Sequence, residues 1–419
     1  MSDSDASSSP RELAYPPDLA RWTVAHWPVQ APMQISFALL QEALEIAFQA
    51  SMTREEARQS RFRLLLMRAD ALPPQGASSD GVLPLRFDRS RPLDVDELRR
   101  LAPSTPFETS LIGVHEENGA LRIWGLAHSG PAWLSPTWGG RDLGPIWTTD
   151  PIVHVNGPGQ IAVRRAGILV GALEHGALVD TTIDVLASNW LPTHFDRARE
   201  EIRSLHAAGR GARTVEHSLV GRISQNMLRR CIQLVRSAQH GGLVLLRDGA
   251  QTSAGLRLKY RFEPDEATRR YHALLLALID AVANTTSSPS IDWDTFVTSH
   301  SVEMDRLEKA VFEWSRVIAN LAAIDGAVVL DKSFGVIGFG AEVSAELPTP
   351  TRVWRALDRE GERRRPEDVE AVGTRHRAAY RFVNDHPDAL AIVFSHDGGV
   401  TFVASQNGDV VVWEQVTRP

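Results

Sequence analysis

Cysteine is nearly absent from the chain: the single Cys231 among 419 residues excludes an internal disulfide. Its apolar neighbours in residues 227–235 favour a buried structural thiol over a nucleophile. The chain also lacks a run of about 18 apolar residues, the length that a membrane-spanning helix needs. Residues 1–5 are acidic, whereas a signal peptide begins with basic residues. We therefore expect a cytoplasmic protein with no membrane partner.

Basic charge is in deficit as well. Lys and Arg total 45 against 52 Asp and Glu, which gives a net charge of −7. Proteins that bind nucleic acid usually carry a basic excess, so we expect no nucleic-acid partner, and instead a small molecule or a protein. Hydrophobic residues make up 43% and charged residues 23%, which is typical of a globular protein. The length predicts two or three domains.

The sequence pattern of the N-terminal half changes along its length. We expect residues 1–12, a serine-rich polar tail, to be disordered. Residues 33–52 have apolar side chains at helical spacing, and Thr53-Arg54-Glu55-Glu56 is a capping-box pattern that predicts a second helix. Short alternating runs between residues 81 and 180 predict mostly β structure. Four tryptophans there either line a ligand cavity or fill a β-domain core: Trp124, Trp133, Trp138 and Trp147.

A domain boundary is predicted near Gly209-Arg210-Gly211, which breaks a helix predicted over residues 195–208. We assign residues 13–205 to one domain and residues 206–419 to a second. Helical patterns in the second domain (residues 215–236, 264–283 and 304–320) are interspersed with strand patterns (residues 243–247, 255–262, 327–330, 336–339, 389–394 and 400–404). The predicted fold class is α+β or α/β, with a C-terminal mixed sheet flanked by helices and an N-terminal helical and β-rich domain.

Two short motifs in the second domain carry residues that suit nucleotide chemistry. The first, Asp325-Gly326-Ala327, lies at the start of the strand predicted at residues 327–330. A carboxylate and a glycine therefore precede a buried strand. A carboxylate in that position can hold a divalent metal ion. Taken alone, an Asp-Gly pair is more often an ordinary turn.

The second motif, Gly373-Thr374-Arg375-His376-Arg377, packs two guanidiniums and an imidazole into three residues. Clustered cations repel one another unless an anion meets them. The motif precedes a helical stretch at residues 378–383, so backbone N–H groups and the positive end of the helix dipole would face the same anion. A triphosphate suits this arrangement, although Arg-His-Arg alone is usually a solvated helix start.

In this order, the two motifs resemble the signature of the diadenylate cyclase (DAC domain) family, and the resemblance covers roughly residues 215–413. It implies an enzyme that joins two ATP molecules into cyclic di-AMP and releases two pyrophosphates. It also implies self-association, because two catalytic domains face each other with one ATP in each. The N-terminal half resembles the sensor region of cytosolic members, so we expect an unknown ligand or protein partner to bind there and regulate activity.

The resemblance also implies a role for each motif residue. Asp325 would bind Mg²⁺ or Mn²⁺ and help to deprotonate the ribose 3′-hydroxyl. Gly326 and Ala327 would leave room for the nucleotide. The second motif would grip the triphosphate and stabilise charge on the α-phosphate and the departing pyrophosphate, through Gly373, Thr374 and the catalytic residues Arg375, His376 and Arg377.

Two positions depart from the family pattern. Where members stack adenine on a bulky side chain, this sequence has Ala341 and Glu342. Phe339, two residues away on the same face of a strand, either takes that role or belongs to the core. A later acidic pair is replaced by Ser395-His396-Asp397, in which Asp397 is either a second metal ligand or part of a hairpin turn.

Two other functions stay open at the level of the sequence. A catalytically inactive nucleotide-binding sensor would keep the phosphate grip, although the intact Asp325 argues against it. A nucleotidyltransferase with a different cyclic dinucleotide product would keep the phosphate chemistry and change base selection near Phe339.

Overall fold

The computed structural model describes residues 13–28, 33–55, 58–72, 82–107, 109–128, 150–165, 168–174, 176–179, 184–210, 213–238, 241–249, 255–299, 301–396 and 398–415. They fall into two compact units, one up to Thr181 and the other spanning Thr182–Thr417. Both units mix helices with a sheet, so the predicted α+β class is confirmed. The tail at residues 1–12, Asp397 and three of the four grouped tryptophans (Trp133, Trp138 and Trp147) lie outside the described residues.

The first unit is built from helices and short strands that run in this order: α1 (Pro16–Ala25), α2 (Phe37–Ser51), β1 (Arg54–Glu55), β2 (Arg58–Gln59), β3 (Phe62–Leu66), β4 (Leu83–Pro92), α3 (Val95–Leu101), β5 (Ser110–Glu117), β6 (Ala120–His128), β7 (Ile152–Gly157), β8 (Gln160–Arg165), β9 (Ile168–Glu174) and β10 (Ala177–Leu178). Eight strands form one sheet in the order β10-β9-β8-β7-β3-β5-β6-β4. Strands β3 and β5 are parallel, and the other neighbours are antiparallel. The apolar sides of α1, α2 and α3 share one core with this sheet.

Two expectations about the first unit can be compared with its structure. Trp124 is a core residue: it is 4% exposed, and its indole N–H donates to the Met67 carbonyl at 2.8 Å. The helix predicted from Thr53 is wrong, because Arg54 and Glu55 form β1. The Thr53 hydroxyl donates instead to the Ala50 carbonyl at 2.7 Å, which satisfies one of the free carbonyls at the end of α2.

The second unit follows with α4 (Trp190–Thr193), α5 (Asp196–Arg210), β11 (Thr214–Val215), α6 (His217–Ser237), β12 (Gly242–Arg247), β13 (Leu256–Arg261), α7 (Arg270–Thr285), β14 (Ser290–Ile291), α8 (Trp293–Thr298), α9 (Val302–Leu321), β15 (Ala327–Asp331), β16 (Val336–Val343), β17 (Val353–Ala356), β18 (Arg364–Pro366), α10 (Thr374–Asp385), β19 (Leu390–Phe394), β20 (Val400–Gln406) and β21 (Asp409–Gln415). The helix predicted at residues 195–208 is α5, and it belongs to this unit.

Nine strands of the second unit form a mixed sheet in the order β13-β16-β15-β12-β19-β20-β21-β17-β18. Strand β12 is parallel to β15 and antiparallel to β19. Because side chains alternate along a strand, Val244 and Leu246 join the core beneath α6, α7 and α9, while Leu243 and Leu245 join a separate core beneath α10. The predicted mixed sheet flanked by helices is present.

The helix predicted over residues 264–283 begins later than expected, at Arg270. The preceding residues form a turn in which the Asp265 carboxylate accepts the Thr268 N–H at 2.8 Å. The short polar side chains of Asp265 and Thr268 satisfy backbone groups locally, so the helical pattern does not extend to Pro264. Across the described residues, no helix combines the length and the hydropathy that a bilayer crossing requires.

Candidate functional site

The two sequence motifs meet at one end of the central strands of the nine-stranded sheet. Parallel strands β12 and β15 both begin at this end, with Leu243 opposite Ala327. Strand β19 runs the other way and ends there, with Phe394 opposite Gly242. The residues that flank these strand ends therefore converge, although they lie far apart in sequence.

Helix α10 begins at the same end. Gly373 is its N-cap residue, no side chain of the described residues caps its first turn, and that turn contains no acidic residue. Its buried side, which includes Tyr380 and Phe382, packs on the sheet. The first backbone N–H groups of a helix have no partner within the helix and carry partial positive charge. The start of α10 is therefore suited to bind an anion.

Arg375 and Asp325 are the motif residues that the structure brings together. A guanidinium nitrogen (Nη2) of Arg375 lies 4.0 Å from Oδ1 of Asp325. The Asp325 side chain is fully exposed and that of Arg375 is 35% exposed, so this ion pair contributes little to stability. Both charges remain accessible to a ligand.

Gly241, just before β12, makes room for Arg375. A Cβ atom at this glycine would lie 2.5 Å from Nη1 of Arg375 and 3.3 Å from Cδ2 of His396. A side chain at position 241 would therefore displace the guanidinium from its place beside Asp325. Gly241 was not predicted from the sequence, because its relation to Arg375 depends on which strands are neighbours.

Gly326 is held tightly against the backbone of β16. Its φ of +107° is a conformation that side chains rarely adopt, and a Cβ atom would lie 2.7 Å from the carbonyl carbon of Gly340. Ala327 is fully buried and pairs with Leu243 and Ala341. The contacts therefore assign Gly326 and Ala327 a packing role within the sheet, beside the substrate role that the family resemblance implies.

The remaining residues of the second motif diverge around α10. The His376 ring nitrogen Nε2 lies 3.3 Å from the Thr401 hydroxyl on β20, which holds the imidazole toward the sheet. Residues two apart on a helix point about 200° apart, so Arg377 and Arg375 lie on different faces. Gly373 and Thr374 are exposed at the helix start. Of the predicted phosphate-binding set, Arg375 is the side chain placed beside Asp325.

A bulge in β16 changes the expected position of Phe339. Gly340 has a φ of +62°, and the register between β15 and β16 shifts at this point. Phe339 consequently packs toward the core under α6, α7 and α9, while Ala341 belongs to the core under α10. The expectation that both residues share a face is wrong, because a bulge inserts an extra residue and inverts the alternation.

Phe339 forms part of an exposed aromatic group that the sequence analysis missed. Its ring stacks on Tyr260 at 4.8 Å and on Phe262 at 5.6 Å, and these two side chains are 47% and 39% exposed. A Cβ atom on Gly340 would lie 3.4 Å from the Tyr260 ring and 3.7 Å from the Asp325 carbonyl, so the aromatic group adjoins the first motif. The alternating Tyr260-Arg261-Phe262 was the available signal.

The segment after β19 is a tight turn. Gly398 N–H donates to the Ser395 carbonyl at 3.0 Å, and Ser395 N–H donates to the Gly399 carbonyl at 2.9 Å. Gly398 has a φ of +86°, which favours glycine. The turn interpretation of this segment is therefore confirmed for its described residues. Asp397 itself lies outside them, and its role as a metal ligand stays a prediction.

Asp325 is the acid that the described residues place at this site, and its chemistry suits a divalent metal ion. Among the described residues, no three His, Cys, Asp or Glu side chains converge as a complete metal site. Mg²⁺ in nucleotide sites is commonly held by one or two carboxylates together with the phosphates of the substrate. The exposed Asp325 carboxylate, beside a helix start that is suited to an anion, fits that arrangement.

Cys231 takes no part in this chemistry. It is 6% exposed within α6, and burial raises the pKa of its thiol to about 12. A thiolate is the nucleophilic form of cysteine, so this side chain is inert at neutral pH.

One comparison with known proteins finds a match within the first unit. Residues 31–128 match the family model described as "Probable sensor domain DACNV". No curated protein matches the chain. A solved structure titled the hypothetical membrane spanning protein from Bacillus cereus is 15% identical, covers 53% of this chain and 91% of its own, and superposes with a TM-score of 0.23. A TM-score this low supports no inference about fold or function.

Proposed function

We propose that the second unit is a diadenylate cyclase domain, which condenses two ATP molecules into cyclic di-AMP and two pyrophosphates. The observation that carries the proposal is the 4.0 Å approach of Arg375 to Asp325 at the uncapped start of α10. A cation, a helix N-terminus and a carboxylate are thus grouped at one end of the central strands. This grouping suits a triphosphate and a divalent cation bound together.

Each residue has a distinct task in the proposed reaction. The N–H groups at the start of α10 and the Arg375 guanidinium bind phosphate oxygens and stabilise the charge that builds up on the departing pyrophosphate. Asp325 would hold Mg²⁺ or Mn²⁺, which would supply Lewis-acid polarisation when bound. The Asp325 carboxylate also takes the proton of the attacking ribose 3′-hydroxyl.

The reaction needs two copies of the domain. A 3′-oxygen forms a bond to the α-phosphorus of the other ATP, and the bond from that phosphorus to pyrophosphate breaks. A cyclic product requires this exchange to occur twice, so two sites must face each other with one ATP in each. The full exposure of Asp325 at a surface is compatible with such an encounter.

The aromatic group supplies a candidate contact for the base. Tyr260 and Phe262 are exposed beside Phe339, and flat aromatic faces stack well on a nucleobase. We assign adenine binding to this group rather than to Phe339 alone, because the ring of Phe339 is partly covered by core residues.

The first unit supports a regulated enzyme. Its matched sensor family is typical of the N-termini of diadenylate cyclases, so the pairing of the two units is the one expected for that class. We propose that a ligand or protein partner of the sensor region controls how catalytic domains meet, and that the protein acts in the cytoplasm.

The test is product analysis by mass spectrometry after the full chain is incubated with ATP and either Mg²⁺ or Mn²⁺. We expect cyclic di-AMP from the wild type and a loss of about 100-fold or more in Asp325→Asn, the size typical for removal of a catalytic acid or base. Glu313→Gln is the matched control, because Glu313 is a 63% exposed acid that pairs with Arg316 on α9. ATP binding without pyrophosphate release would favour an inactive sensor, and a product from another nucleotide would favour a different transferase.

A further inference from the structure

His396 follows β19 and lies beside Arg375. A Cβ atom at Gly241 would lie 2.5 Å from Nη1 of Arg375 and 3.3 Å from Cδ2 of His396, so the guanidinium and the imidazole are neighbours across this glycine. The His396 side chain is exposed, and its ring forms no hydrogen bond with the residues that the structure describes. Its ring nitrogens are therefore accessible to a ligand.

Three neighbouring strand ends place the site residues in a row. Asp325 lies just before β15, Gly241 just before β12 and His396 just after β19, and these strands are consecutive in the sheet. The strand registers put the three ends at the same level. Neighbouring strands lie about 4.8 Å apart, so the row from Asp325 to His396 spans about 10 Å. Arg375 lies in its middle, between the other two side chains. Three linked phosphates can extend along such a row, whereas a single phosphate reaches only part of it.

The charges along this row change sign from one end to the other. Asp325 supplies a carboxylate at one end, 4.0 Å from Nη2 of Arg375. Near the other end, Arg236 at the end of α6 lies against the turn that follows His396: a Cβ atom at Gly398 would lie 3.4 Å from its Nε. Phosphate oxygens accept hydrogen bonds, and guanidinium and imidazole N–H groups donate them. The end of the row away from Asp325 is therefore suited to the most negatively charged part of a nucleotide.

We propose that His396 is a further substrate-binding residue, which donates a ring N–H to the terminal phosphates of ATP. This inference rests on the proposed function, because it takes the nucleotide to be bound beside Asp325 and Arg375. The α-phosphate then lies at the Asp325 end of the row, and the β- and γ-phosphates extend past Arg375 to the imidazole. One ring nitrogen carries a hydrogen whether or not the imidazole is charged, so the contact needs no change of protonation.

The identity of this side chain has a consequence for binding. The sequence has an imidazole where the family pattern has an acid. An acid repels phosphate oxygens unless a cation lies between them, whereas the His396 ring can bind them directly. We therefore expect ATP to retain affinity for the full chain when divalent metal ions are removed, and this affinity to depend on His396.

The test is calorimetric titration of the full chain with ATP and AMP in EDTA. His396→Ala should weaken ATP binding by about tenfold or more, the usual effect of losing a hydrogen bond to a charged group. AMP binding should change by less than about twofold, because its single phosphate stays near Asp325. His396→Glu should weaken ATP binding further, since a carboxylate repels the phosphates. His396→Asn keeps an N–H donor and should recover part of the lost affinity.

His217→Gln is the matched control, because His217 is a 49% exposed histidine of the same unit, 3.6 Å from Asp196, and its loss should leave ATP affinity unchanged. Equal losses of ATP and AMP affinity in His396→Ala would indicate a structural role and overturn the proposal. Unchanged ATP affinity in His396→Ala, together with a loss in Arg375→Gln, would overturn it as well, as would no measurable ATP binding by the wild type in EDTA. Because this measurement does not depend on turnover, a failure to form cyclic di-AMP would count against the proposed reaction alone.

Discussion

Gly326 offers the sharpest test of how the first motif is built. Replacement by alanine forces a φ of +107° on a side-chain-bearing residue, which costs about 1–3 kcal/mol. The new Cβ atom would also lie 2.7 Å from the Gly340 carbonyl carbon and 2.9 Å from the Ala341 carbonyl oxygen. Backbone atoms cannot move aside as a flexible side chain can, so overpacking adds about 1–3 kcal/mol. We expect Gly326→Ala to lower the free energy of unfolding of the second unit by about 4 kcal/mol.

Two other glycines of the site provide matched comparisons. Gly373 has an ordinary φ of −67°, and a Cβ atom there would meet no atom of the described residues within 4 Å. Gly373→Ala should therefore cost less than about 1 kcal/mol. At Gly241 the new Cβ would meet the mobile tip of Arg375, so Gly241→Ala should leave stability within about 1 kcal/mol of the wild type and weaken ATP binding instead.

The assay is urea unfolding followed by circular dichroism, with ATP affinity measured separately by calorimetry. The midpoint should fall clearly for Gly326→Ala and stay close to the wild-type value for the other two, with an unchanged slope in urea. If Gly326→Ala unfolded at the same urea concentration as Gly373→Ala, the close packing of Gly326 against β16 would be refuted. If Gly241→Ala bound ATP as tightly as the wild type, Arg375 would not be the phosphate ligand.

The pKa of Cys231 is raised to about 12 by burial, so the native thiol should resist alkylation at pH 8 and react only after unfolding; rapid native labelling would contradict its burial. Because the folded pKa lies above the unfolded value of about 8.5, the thiol contributes its full stability below about pH 8, and this contribution declines as the pH rises above that range. Urea titrations at several pH values should therefore show a larger loss of unfolding free energy at high pH for the wild type than for Cys231→Ala. Arg355 donates to Glu367 at 2.5 and 2.7 Å, and Glu367 is 8% exposed. Arg355→Ala should therefore lower the free energy of unfolding by about 3 kcal/mol. Arg363→Ala should lower it by less than about 1 kcal/mol, because Arg363 is 75% exposed, and equal losses for the two variants would contradict a buried Arg355–Glu367 pair.

Most strands of the second unit could be predicted because their signals are local. The apolar runs that became β12, β15 and β19 are buried on both faces, and their lengths fall within the strand range. The start of α7 and the helix proposed after Thr53 were wrong for a related reason. Short polar side chains there bind nearby backbone groups in turns or at a helix end, and a periodicity of apolar residues does not record such competition.

The charged groups of the two motifs could be predicted from sequence alone, because a carboxylate before a buried strand and cations at a helix start are properties of a few consecutive residues. Only the tertiary structure brings Arg375 to Asp325, since that contact depends on parallel pairing of β12 with β15 and on the packing of α10. Only the tertiary structure shows that Phe339 and Ala341 lie on opposite faces of the sheet, because a bulge inverts the alternation of side chains along the strand.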